Sequence, residues 1–101
     1  VLIADHQPLR LEPGEMHRLQ FGLDRPAQVG YEVLVVSGPA PDYCVTQRNT
    51  PPNPSFPNPC QAGYQAANGS SLPAGGYELV IRCPDNGVVC EASFSLWYEP
   101  T

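Results

Sequence analysis

Lysine is absent from this 101-residue chain, and its five cations are all arginines: Arg10, Arg18, Arg25, Arg48 and Arg82. Ten carboxylates stand against them, for a formal net charge of −5. Affinity for nucleic acid comes largely from cations that neutralise phosphates, and attachment to anionic lipid surfaces depends on the same attraction. Neither partner is expected. Without lysine the chain cannot form Lys–Asn isopeptide crosslinks. No stretch approaches the ~20 apolar residues of a membrane-spanning helix, so no membrane insertion is expected. No signal peptide is read here either: the chain opens on Val1-Leu2-Ile3-Ala4 without a methionine, as expected of a processed mature terminus or a trimmed chain with any leader already removed.

Catalytic signatures are missing too. Only His6 and His17 could serve as neutral-pH bases, and neither sits in a motif. A nucleophile elbow, a paired-histidine zinc helix, a phosphate loop and an EF-hand loop are all absent. Glu15 and His17, two apart on a strand, share a face and could offer two metal ligands, and Glu12 with Glu15 could form a carboxylate pair. Nothing in the sequence encloses or tunes either pair. No catalytic residue, metal or cofactor is therefore expected.

The chain does have 13 prolines and four cysteines. Cys44, Cys60, Cys83 and Cys90 form an even set without CxxC spacing, and the histidines lie far from them in sequence. In a short, turn-rich chain this pattern reads as two disulfides made in an oxidising compartment, which places the protein outside the cell or at its surface.

At this length there is room for one domain, residues 1–101, and one core. Helical periodicity is nowhere sustained. Period-2 alternation runs through four segments: 17–23 (Leu19, Phe21 and Leu23 on one face), 28–36 (Val29, Tyr31, Val33 and Val35), 76–83 (Tyr77, Leu79, Ile81 and Cys83, with Glu78 and Arg82 opposite) and 88–98 (Val88, Cys90, Ala92, Phe94, Leu96 and Tyr98, with Glu91, Ser93 and Ser95 toward water). Shorter strands are expected at 1–4, 9–12, 42–47 and 63–68, separated by Pro- and Gly-containing turns. Strands wetted on one side favour antiparallel sheets. About eight of them at this spacing predict an all-β, antiparallel β-sandwich with a jelly-roll-like arrangement.

Asn86-Gly87 is the preferred type I′ hairpin pair. A two-residue loop there sets Asp85 opposite Val88, Pro84 opposite Val89 and Cys83 opposite Cys90, so a Cys83–Cys90 bridge is expected, and Cys44 pairs with Cys60 by elimination. The latter closes the segment 45–59, in which residues 48–59 hold five prolines in twelve positions. Such a segment cannot be a central strand. It reads as extended, polyproline-like backbone, serving either as a stiff connection or as a recognition loop that presents Phe56. Tyr64 and Trp97 are further candidates for ligand contact or for packing. Asn68-Gly69-Ser70 matches a glycosylation sequon.

Two blocks resemble the bacterial pre-peptidase C-terminal domain, a secreted jelly-roll-like β-sandwich. The first is residues 17–38, a hydrophobic strand, a short turn, then a long hydrophobic strand ending in Ser37-Gly38. The second is Leu72-Pro73-Ala74-Gly75-Gly76-Tyr77, similar to that family's L-x-x-G-x-Y turn. The blocks cover about half the chain. Where that family carries an acidic segment associated in some members with calcium, this sequence has Ala40-Pro41-Asp42-Tyr43-Cys44-Val45 with a single carboxylate, so calcium binding is not implied. The resemblance implies a non-catalytic, accessory extracellular module that binds a polymer or assists folding and display; the expected partner is an extracellular polymer or a protein. An alternative is a structural subunit that polymerises with copies of itself, using residues 1–7, and above all Val1, Leu2, Ile3 and Ala4, as an exchange strand on a neighbour's sheet edge.

Overall fold

The computed structural model describes residues 1–47, 65–66 and 69–100. The described elements are all strands: β1 (Leu2–Leu11), β2 (Met16–Leu23), β3 (Ala27–Ser37), β4 (Asp42–Gln47), β5 (Gln65–Ala66), β6 (Ser71–Leu72), β7 (Gly75–Arg82) and β8 (Cys90–Pro100). They form two antiparallel sheets. Sheet I has the order β1-β8-β3-β6 and sheet II the order β2-β7-β4-β5. Among the described residues no helix is long and apolar enough to cross a membrane.

Alternation explains how the sheets meet. Leu79 and Ile81 on β7, Phe21 and Leu23 on β2 and Val45 on β4 join Val29 and Tyr31 on β3 and Cys90, Phe94 and Leu96 on β8 in one buried cluster. Full burial of each such aliphatic side chain stabilises by about 1.5–3 kcal/mol relative to exposure. Leu9, Leu19, Val33 and Tyr98 pack at its margin.

Several strand bounds differ from expectation. The segments predicted at 1–4 and 9–12 are one strand, β1, whose register on β8 shifts between Leu2 and Ala4 and again between Ala4 and Gln7. His6 lies inside the second shift at φ 47°, the one described non-glycine residue in the left-handed region. Ser71–Leu72, for which no strand is expected, pairs with Gln28 and Ala27. Of the strand expected at 63–68, Gln65–Ala66 is described.

The largest correction concerns the last reversal. Cys83–Cys90 is disulfide-bonded with a Cα separation of 5.8 Å, but residues 83–90 are not a hairpin. β7 belongs to sheet II and β8 to sheet I, so the bridge joins the two sheets. The reason lies in who satisfies the backbone of Cys83. Its N–H donates to Glu15 O and its carbonyl accepts from Gly14 N–H, while Cys90 sits opposite Leu11. Glu12-Pro13-Gly14-Glu15 is itself a tight turn, closed by Glu15 N–H to Glu12 O with Gly14 at φ 79°, the conformation a type II turn requires at its third position. Asn86-Gly87 still turns the chain. Only Gly87 has positive φ, however, so the I′ requirement of two such residues is unmet, and Asn86 Oδ1 instead accepts the Val88 N–H. Val88, expected inside, lies before β8 begins and is exposed.

Candidate functional site

The four expected disulfide residues divide by what is described. Cys83 and Cys90 are bonded and buried. Cys44 is disulfide-bonded, and its expected partner, Cys60, lies outside the described residues. Phe56, Tyr64, Asn68 and nearly all of the proline-rich 45–59 segment also lie outside them.

Trp97 is described in full. By the alternation of β8 it falls on the outer face with Glu91, Ser93 and Ser95, and it is half-buried there. The cause is its neighbour: Gly30 is its register partner on β3, and a Cβ built on Gly30 would overlap the indole. Glycine at this position thus makes the seat on which the ring lies. On the opposite flank Leu2 of β1 pairs with Trp97 and is 57% exposed. The surrounding outward positions are polar, with Gln28 opposite Glu99 and Glu32 opposite Ser95. Ser95 is not wet as expected. It is buried, and its hydroxyl accepts the His6 N–H, which ties the β1 irregularity to the middle of the face.

The residues expected to act as an exchange strand are split in role. Ala4 is buried in the shared cluster and Ile3 packs against it, whereas Val1 and Leu2 are exposed. Tyr98 N–H donates to Val1 O, so in the single chain this segment lies along its own β8.

Several ionisable residues meet at the surface. Asp5 accepts from His6 Nδ1 at 2.6 Å, and Arg10 lies between Glu12 and Glu91. Glu15 and His17, weighed as metal ligands, are drawn apart: the carboxylate of Glu15 accepts the Glu12 N–H, while the His17 ring rests against Phe94 with centroids 5.6 Å apart. Among the described residues no three His, Cys, Asp or Glu side chains converge as a metal site. Glu78, expected in water, is buried on the outer side of sheet II with Arg18 Nη1 at 3.3 and 3.4 Å from its two oxygens. Tyr31 meets Tyr43 edge-on across the sheets at 6.0 Å. Burial pushes the Tyr31 phenol above its ordinary value, and the charge of Tyr43 adds to the rise.

Two features escaped the sequence reading. One is the Gly30 seat. The other is the far end of β3, where Leu34, Val35 and Val36 are 44%, 48% and 70% exposed beside a cleft of about 300 Å³ lined by Pro8, Leu9, Arg10, Val36, Glu91 and Ala92. Alternation assigned Val35 to the core. The uncharged run Val33-Leu34-Val35-Val36, apolar on both faces, was the available signal.

Comparison with protein-family models, with curated proteins and with solved structures finds no match to this chain.

Proposed function

We propose that this chain is a non-catalytic extracellular β-sandwich module that works by binding, through the outer face of sheet I, to an extracellular polymer or protein. The observation that carries the reading is Trp97 held on Gly30 in the middle of a polar, open sheet face, beside exposed Leu2. A large amphipathic ring fixed by its neighbours contributes contact area at low entropic cost, which is what binding hot spots use. The inter-sheet Cys83–Cys90 bridge supports an oxidising compartment. A Cys44–Cys60 bridge as the second staple and a jelly-roll-like connectivity complete the reading, in line with the resemblance to secreted pre-peptidase C-terminal domains. Exchange of the 1–7 strand between copies would have to replace the β1–β8 pairing found within the chain.

The test is retention of the purified protein on insoluble cellulose, chitin and peptidoglycan and on immobilised matrix protein. Retention on one of these that falls about tenfold or more in Trp97→Ala, the loss of one hot-spot contact, with circular dichroism unchanged, supports the reading. Equal retention of both proteins, or none by either, removes this face as the binding surface.

A further inference from the structure

The two edges of sheet I are finished differently. Along β1 the register on β8 breaks twice, His6 adopts positive φ, Pro8 lacks an N–H, and Arg10 is exposed and charged. These are the devices that stop an edge strand from accepting another strand. At the opposite edge β6 covers only Ala27 and Gln28 of β3. The pairing continues one residue further, with Val29 N–H donating to Ser70 O and Gly69 N–H to Val29 O. In an extended strand every second residue turns its N–H and C=O to the same side. Val33 and Val35 therefore address this edge, and among the described residues no strand lies beside them. Here the one register shift on β8 falls between Val35 and Ser37, past both of these residues; there is no proline and no charge between Glu32 and Ser37, and the side chains of Leu34, Val35 and Val36 stand exposed.

We propose that this open edge pairs with the same edge of a second copy, β3 against β3, antiparallel about a twofold axis at Leu34. The sequence is self-complementary in that register. Val33 of each copy lies opposite Val35 of the other, so the outward N–H and C=O groups form two reciprocal pairs of hydrogen bonds. Leu34 meets Leu34, and Glu32 faces Val36, so the two carboxylates are not opposed. An isologous contact of this kind closes on itself and yields a dimer, not a filament. The strip is short and each copy carries a net charge of −5, so the dimer belongs to the weak, concentration-dependent class and is strengthened by salt. The proposal stands apart from binding at Trp97, and its test reads a different quantity.

Sedimentation velocity from micromolar to millimolar concentration should show a reversible dimer. Val35→Pro deletes one outward donor, while the N–H and C=O groups that bond β8 belong to the alternate residues; it should leave a folded monomer throughout. Cysteine crosslinking reads the register independently. Leu34→Cys, on the axis at a non-hydrogen-bonded position, brings two Cα atoms to about 4.5 Å, within disulfide reach. It should yield roughly tenfold more covalent dimer than Val36→Cys, whose thiols are separated across the axis. A wild type that stays monomeric at millimolar concentration, as it would if the edge served a different protein's strand, overturns the proposal. So does a dimer that Val35→Pro leaves intact, or crosslinking that favours Val36→Cys. If Val35→Pro does not fold, the crosslinking ratio decides.

Discussion

β7 and β8 are each flanked by two strands of their own sheet, yet they live in different surroundings. From Tyr77 to Ile81 every residue of β7 is buried. On β8 the inward residues Cys90, Ala92, Phe94 and Leu96 are buried, while of the outward ones Glu91 is exposed, Ser93 and Trp97 are half-buried and Ser95, beneath His6, is buried. Sheet II is thus dry on both sides around β7. Its outer side carries Val80 opposite Cys44, and Glu78 opposite Thr46, all four buried. Glu78 is tolerated there because Arg18, half in solvent, reaches over to its carboxylate. Sheet I keeps its outer side open. The binding surface proposed above lies on sheet I, where aromatic and apolar side chains meet water; the outer side of sheet II around β7 is buried.

The contrast breaks most visibly with a charge placed on the outer side of each of the two strands. Val80→Asp buries an unpaired carboxylate on the outer side of β7 and should cost about 3 kcal/mol or more, enough to unfold a marginal domain. Ser93→Asp, on the outer side of β8, should change stability by less than about 1 kcal/mol. Urea midpoints measure both; equal losses would mean that the two outer sides do not differ. A methyl group probes the same contrast more gently. Gly30→Ala drives a Cβ into the Trp97 indole and should cost about 1–3 kcal/mol by overpacking. Because Trp97 is the one tryptophan, its emission should shift red as the ring leaves its seat. Gly22→Ala on β2 meets nothing nearer than Gly75 O at 3.9 Å and should change stability by less than about 0.5 kcal/mol.

What could be read from the sequence was what depends on neighbours along the chain. Alternation placed Phe21, Leu79, Phe94 and Leu96 correctly, since a strand's two faces follow from its own pleat. Asn86-Gly87 announced a reversal and Cys83 with Cys90 announced a bridge, and both are present. The sheet that each strand joins could not be read, because turn chemistry reverses the chain without choosing its partner. That choice was made by the 12–15 turn, distant in sequence, which takes both backbone groups of Cys83. Glu78 and Ser95 do face outward, as alternation has it, but are not wet, for the same reason: Arg18 and His6, which reach them, come from strands paired only in three dimensions. The Trp97 seat needed the Gly30 register, and no local pattern encodes it.

The two sheets also meet at a pair of tyrosines, which allows their association to be probed by pH. Tyr31 of β3 packs edge-on against Tyr43 of β4, and burial, reinforced by the Tyr43 charge, raises its phenol above the ordinary value of 10.0. The raised value means that the folded state holds the proton more tightly than the unfolded chain. The stability this contributes is fully present below pH 10.0 and is lost as pH rises through the folded-state value. Stability should therefore decline more steeply in the wild type than in Tyr31→Phe above about pH 10, by up to about 1.4 kcal/mol per pH unit for one proton. Slopes are the quantity to compare, because any loss of Tyr31 packing shifts the variant's curve without tilting it. Urea midpoints from about pH 8 to about pH 11 supply both slopes. If they are parallel, the Tyr31 phenol ionises as easily in the folded chain as in the unfolded one, and the margin where β3 meets β4 is as open to water as the outer face of sheet I.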